Sequence, residues 1–185
     1  MMTEISLNIL DVAQNSISAG AKLIEITIIA DTKNDILITE IKDNGCGMDK
    51  DKLENVINPF FTTRTTRRVG LGIPFYKLAA ENTGGSFKIV SQVGIGTTVT
   101  ATFGLSHIDC MPLGDINSTI HTLVTLNSHI DFFYMYKIDE KSFTLDTREF
   151  REILGDISFN SPDVSVYIYD YLNENKQEVD GEKVI

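Results

Sequence analysis

Three Gly-x-Gly pairs, Gly45/Gly47, Gly70/Gly72 and Gly94/Gly96, break the first part of this chain into short segments whose hydrophobic patterns alternate between helical and β periods. Glycine enters backbone conformations and close contacts that other residues avoid, so each pair marks a turn or a close approach. Residues 5–19 repeat apolar side chains at helical spacing (Ile5, Ile9 and Val12, with Leu10, Ala13 and Ile17 beside them) and stop at Gly20. Two β-rich runs, 22–30 and 35–42, flank the small polar residues Asp31-Thr32-Lys33-Asn34 and predict a hairpin. A short helix over 49–57, a polar loop over 59–69 and a helix over 71–82 follow, with Pro74 tolerated because it falls in a first helical turn. Residues 87–91 and 97–103 predict a second hairpin, so the order is α-β-β-α-loop-α-β-β.

The texture changes after Gly104. A helix is expected over 115–126, an aromatic strand over 131–138, a turn at Asp139-Glu140-Lys141, a strand over 142–145, and helices over 147–154 and 162–173. The last dozen residues, acidic and poor in core side chains, are expected to fray. We therefore divide the chain into a domain over 1–105 and an acidic α/β extension over 106–185 that packs on it. With 42% hydrophobic residues in 185, the chain has enough apolar material for a core.

Charge separates the two parts. Residues 1–105 hold 10 basic and 11 acidic side chains, whereas 106–185 hold 6 and 15. Such an acidic balance excludes unspecific binding to DNA or to anionic membranes, because polyanions are held by a positive field. It serves either as a solubilising surface or as a docking face for a basic partner. Cys46 and Cys110 are isolated thiols with neither a disulfide framework nor a Cys-x-x-Cys pair, which points to a reducing, cytoplasmic setting. No run reaches the ~20 apolar residues of a spanning helix, and the opening Met1-Met2-Thr3-Glu4 lacks the basic start of a signal peptide.

Asp11 and Asn15 stand at i and i+4, so one face of the opening helix carries a carboxylate and an amide together. Alone they read as two polar boundary residues. Asp43-Asn44-Gly45-Cys46-Gly47-Met48 puts an acid at the end of a strand, where it can accept a hydrogen bond from an exocyclic amine, and then turns; alone it is a glycine turn. Val69-Gly70-Leu71-Gly72-Ile73-Pro74 opens a helix with two glycines, the arrangement that sets backbone amides and the positive helix end against phosphate. It is neither a Walker A loop nor a dinucleotide fingerprint, since Phe75 stands where a third glycine would be. His107-Ile108-Asp109-Cys110 has metal-compatible residue types but no second cluster, so no metal is assigned to it.

In this order and spacing, and with Val93-Gly94-Ile95-Gly96-Thr97-Thr98 after them, the motifs resemble those of the histidine-kinase-like ATPases, the GHKL or Bergerat-fold family, across residues 1–105. The resemblance implies an α+β protein, a Bergerat-type two-layer α/β sandwich carrying the C-terminal α/β extension. It also implies ATP and Mg²⁺ as cofactors. By resemblance Asn15 is the metal ligand and Asp43 reads the adenine amino group. Gly45 and Gly47 admit the base, and Thr97 joins the adenine network. Gly70, Leu71 and Gly72 line the phosphates. Asn58-Pro59-Phe60-Phe61-Thr62-Thr63-Arg64 resembles the phenylalanine-containing box of sensor histidine kinases, which makes Thr62 and Arg64 candidates in a short ATP lid. Asp11 takes the catalytic position, often a glutamate that orients water; it is one methylene shorter, which implies slower hydrolysis.

Sensor kinases of this family carry a phosphoacceptor-histidine hairpin ahead of the ATPase domain. Few residues precede the first helix here, and His107, His121 and His129 all follow it, so a stand-alone ATP-binding protein without that hairpin is expected. A kinase acting on a partner protein ranks first. A slow ATPase switch, or a nucleotide sensor without phosphotransfer, is the alternative.

Overall fold

The computed structural model describes residues 3–57, 72–155, 157–181 and 183. Among the described residues six strands form one sheet of order β3-β4-β2-β1-β5-β6. The N-terminal part supplies α1 (Ile5–Ser18), β1 (Leu23–Asp31), β2 (Ile36–Asp43), α2 (Lys50–Val56), α3 (Gly72–Asn82), β3 (Ser86–Gln92) and β4 (Gly96–Gly104). The remainder supplies α4 (Ile116–Leu126), β5 (Asp131–Ile138), β6 (Lys141–Asp146), α5 (Thr147–Leu154) and α6 (Pro162–Asp180). Both expected hairpins form. β1 is antiparallel to β2 and β3 to β4, while β2 pairs antiparallel with β4.

The sheet is one-sided. Along β1 every second residue is buried, and Ile24, Ile26, Ile28 and Ala30 stand opposite Asp43, Ile41, Thr39 and Leu37 of β2. This strict alternation is what a sheet with one covered face requires. α1, with Ile5, Ile9, Val12, Ala13 and Ser16 buried on one stripe, helps to cover that face together with α3. Tyr76 of α3, fully buried, bonds Thr39 at 2.5 Å and packs its ring 5.8 Å from that of Phe103. Burial of the phenol pushes its pKa far above the ordinary tyrosine value, with the Thr39 hydrogen bond opposing, so it stays protonated. Each fully buried large side chain of this core contributes about 1.5–3 kcal/mol.

Residues beyond 106 build outward from the same sheet. β5 lies parallel to β1, Leu23 opposite Asp131 through Ala30 opposite Ile138, and β6 completes the edge antiparallel to β5. The chain reaches β5 from β4 through α4, capped at its start by the Asp115 carboxylate on the Ser118 amide at 2.9 Å, and this helix forms the last leg of the long crossover that sets β5 parallel to β1. The backbone before α4 also returns to the first helix, because the Ile5 and Ser6 amides donate to the Pro112 and Leu113 carbonyls at 3.0 and 2.9 Å.

One expectation is corrected. The closing helix does not end at 173, and the residues after it do not fray there; α6 runs to Asp180. Val179 is buried in register with Val164, Ile168 and Leu172. The Tyr136 hydroxyl donates to Asp180 at 2.7 Å, and Lys176 lies 5.0 Å over the Tyr136 ring. A single apolar residue and a tyrosine on another strand thus carry the last two turns. The two cysteines are free thiols, in keeping with their isolation in the sequence.

Candidate functional site

Asp43 ends β2, and its position there is set by the ladder: it faces Ile24 on one side and Thr97 on the other. The residue is 9% exposed, and its carboxylate is satisfied by groups from three parts of the chain. The Gly45 amide donates to Oδ1 at 2.9 Å and the Thr97 amide at 3.3 Å, while the Ser16 hydroxyl of α1 donates to Oδ2 at 2.7 Å. With about four lone-pair positions and three donors in place, the carboxylate keeps one position for a further donor. The arrangement fits an amine-bearing ligand at that carboxylate.

The turn after Asp43 docks on the β3–β4 hairpin. Gly94 donates its amide to the Cys46 carbonyl at 2.8 Å, and Met48 donates to the Ser91 hydroxyl at 2.8 Å. Ser91 Oγ in turn lies 2.8 Å from Thr97 Oγ1. Gly47 has φ +65°, and a Cβ there would sit 2.0 Å from the Gln92 carbonyl oxygen. Gly96, at φ +135°, would put one 1.9 Å from the Asp43 carbonyl. Glycine at 47 and 96 is therefore required by the approach of one turn to the other, and the rim around Asp43 is built from backbone.

α1 carries a second junction. A Cβ on Gly72 would lie 1.7 Å from Asp11 Oδ2, so the Asp11 carboxylate rests against the first residue of α3. A carboxylate at a helix start is electrostatically favourable. Asp11 and Ser16 are five residues apart on one helix, about 7.5 Å along its axis at 1.5 Å per residue. α1 thus holds the Asp43 group and the α3 start at a fixed separation, with half-buried Asn15 between them in sequence.

Of the residues selected from sequence, Asp43, Gly45 and Thr97 meet in one hydrogen-bonded group, Gly47 backs it, and Asp11 meets Gly72. Thr62, Arg64, Gly70 and Leu71 lie outside the described residues. Two residues were not selected: Ser16, which anchors Asp43, and Ser91, which ties the turn to the hairpin. Ser16 carried a signal, a hydroxyl on the apolar stripe of an amphipathic helix. Among the described residues no group of three or more acidic, histidine or cysteine side chains could hold a metal ion. Mg²⁺ needs few protein ligands and keeps several waters, so a single side-chain oxygen such as that of Asn15 remains a fit. The His107 ring nitrogen accepts the Asp109 amide within a local turn, and His121 bonds Ser165.

A helix-covered sheet with a buried strand-end acid, two glycine-lined turns and a glycine-started helix beside the first helix defines a two-layer sandwich of the Bergerat type. Residues 1–107 match the family described as histidine kinase-, DNA gyrase B-, and HSP90-like ATPase, and the chain belongs to that family. It is 33% identical over 101 residues to the signal transduction histidine-protein kinase AtoS of Escherichia coli, covering 54% of this chain and 16% of that protein. It is 32% identical over 94 residues to the sensor histidine kinase YvrG of Bacillus subtilis, covering 48% of this chain and 16% of that one. The matched segment is thus a small part of each relative. Among solved structures, the Aquifex aeolicus MutL ATPase domain complexed with ADP superposes with a TM-score of 0.54 at 13% identity, covering 92% of this chain and 70% of that chain. This likeness of fold takes in strands beyond the family match. Among the described residues no helix is long and apolar enough to cross a membrane.

Proposed function

We propose that this protein binds ATP with Mg²⁺ and acts, kinase-like, on a partner protein in the cytoplasm. The observation that carries the reading is the Asp43 carboxylate, held by Gly45, Thr97 and Ser16 with one acceptor position left for an adenine amino group. In this reading Asn15 offers its amide oxygen to Mg²⁺, which when bound offsets the charge of the triphosphate. Gly70, Leu71 and Gly72 would face the phosphates at the α3 start, and Thr62 and Arg64 would belong to the segment over them. Support for a kinase comes from the similarity to AtoS and YvrG, both described as histidine kinases. The domain boundary near residue 105 is part of the same proposal, the nucleotide being held by the first part.

The contact of Asp11 with Gly72 favours a second reading beside the first. An acid occupied at a helix start holds the phosphate end of the site in place more readily than it activates water, which suits a slow ATPase switch or a sensor.

A time course with γ-labelled Mg-ATP separates these readings, with Asp43→Asn as the blank. Label on a protein, lost in the variant, is the kinase outcome. Variant-sensitive label in free phosphate alone makes the protein a switch. Binding without transfer to the chain, to phosphate or to added candidate partners overturns the kinase reading in favour of a sensor.

A further inference from the structure

The outer surface of α5 and α6 has a composition that the fold itself does not use. Phe150 of α5 packs edge-on against Tyr167 and Tyr171 of α6, with ring centroids 6.1 and 5.8 Å apart, and this joins the two helices into one outward face. On that face Ile153 is 82% exposed, Val166 60% and Tyr167 56%. Single exposed apolar side chains are normal on a protein surface; here Val166 and Tyr167 are neighbours on α6, and Tyr167 is joined through Phe150 to α5, which carries Ile153.

Acids surround the patch. Asp163, Val166, Tyr167, Asp170 and Glu174 fall at i, i+3, i+4, i+7 and i+11, one stripe of α6 turned away from the buried Val164, Ile168 and Leu172. The basic side chains of the two helices are already engaged: Arg148 with Asp146 at 2.6 Å, Arg151 with Asp131 at 2.7 Å and Lys176 with Asp180 at 2.5 Å. Among the described residues no ion pair engages Asp163, Asp170 or Glu174. Their charge is therefore projected outward over an apolar patch, the complement of a helix with an apolar stripe between lysines or arginines. A second copy docking in the two-fold manner common to dimers would set this acidic stripe against itself.

We propose that the α5–α6 face docks a basic amphipathic helix of a partner protein. Its apolar residues cover Ile153, Val166 and Tyr167, and its cations meet Asp163, Asp170 and Glu174. This docking goes beyond the nucleotide reading and requires no phosphotransfer.

The test uses the full chain without nucleotide, so its failure is distinct from failure of the ATP reading. The probe is a fluorescent Leu/Lys amphipathic peptide of about 18 residues, long enough to be helical, with a Leu/Glu peptide of the same pattern as control. One variant carries Ile153→Ser with Val166→Ser; another carries Asp163→Asn, Asp170→Asn and Glu174→Gln. All five positions are exposed. Thermal melting followed by circular dichroism verifies that both variants are folded. Binding of the Leu/Lys peptide, weakened about tenfold or more in each variant and less salt-dependent in the second, is the expected result. Absence of binding, equal binding to parent and variants, or equal binding of the Leu/Glu peptide would overturn it. Concentration-dependent dimerisation of the parent, abolished by the serine variant, would assign the face to a second copy and overturn it as well.

Discussion

Asp43 and Thr97, 54 residues apart in sequence, stand directly opposite each other on β2 and β4, and the Thr97 amide donates to Asp43 Oδ1 at 3.3 Å. Asp43→Asn keeps the size of the side chain and allows the Ser16 hydroxyl to reverse its hydrogen bond, so the fold persists. What is lost is a charge-assisted acceptor, worth about 1.5–3 kcal/mol. Adenine-nucleotide affinity is expected to fall about ten- to hundredfold with little change in melting temperature. Calorimetric titration checks this, and unchanged affinity removes the adenine role of Asp43.

The Asp11–Gly72 contact makes a prediction whose sign depends on background. Gly72→Ala places a methyl group where Asp11 Oδ2 now lies, and all the nearest obstructing atoms belong to that carboxylate. Forcing it off its rotamer costs about 0.5–1.5 kcal/mol. In an Asp11→Ala background the obstruction is gone, and alanine in place of glycine is neutral or stabilising by up to about 1 kcal/mol. Denaturant unfolding of the four proteins measures the coupling; additive effects would show that the contact carries no energy.

Both relationships bear on what could be read from the sequence. The stripe of Ile5, Ile9 and Val12 and the alternation of β1 are local patterns, so α1 and the first hairpin were legible, as were the strand end at Asp43 and the glycine turn after it. Non-local partners were not. The end of α6, residues Glu174 to Asp180 with one apolar side chain, reads as a tail, and what secures it is Tyr136 on β5. The parallel pairing of β1 with β5 joins residues more than a hundred positions apart, which no short window contains. Ser16 escaped selection because a serine next to an amide-bearing Asn15 shows its purpose only when the Asp43 carboxylate comes to 2.7 Å from it.

Asn15 is tested through the ion rather than through affinity alone. If its amide oxygen holds Mg²⁺, removal leaves the adenine contacts of Asp43 intact while the benefit of the metal shrinks. Asn15→Ala is therefore expected to bind ATP almost equally with and without Mg²⁺, whereas the parent binds much more tightly with it, by about tenfold or more if one metal ligand is worth what a charged hydrogen bond is. Parallel titrations of ATP into both proteins, with and without Mg²⁺, make the comparison. An equal response to the ion in both proteins removes Asn15 from the metal site.

The last prediction concerns acid stability and rests on two turns at one end of the sheet. Asp139, between β5 and β6, pairs with Lys183 and accepts the Thr32 amide and hydroxyl of the β1–β2 turn, each at 2.8 Å. The Lys183 partner first, then the Thr32 donors, hold its carboxyl down to about 2. An unfolded aspartate titrates near ~3.9, so the folded protein binds this proton less readily than the unfolded chain does. The stabilisation is therefore whole above about pH 4 and is lost as pH falls through about 2. Asp139 has φ +51°, a conformation that asparagine also tolerates, so Asp139→Asn removes the charge without adding backbone strain. The variant is expected to melt below the parent at pH 7, with the gap narrowing from pH 4 downward and closing near pH 2. Because the group is at the surface, 0.5 M salt should narrow the gap at pH 7 as well. Melting temperatures across pH 2–7 give the answer: a gap that stays constant with pH would mean that the Asp139 charge contributes nothing and that the turns are joined by shape alone.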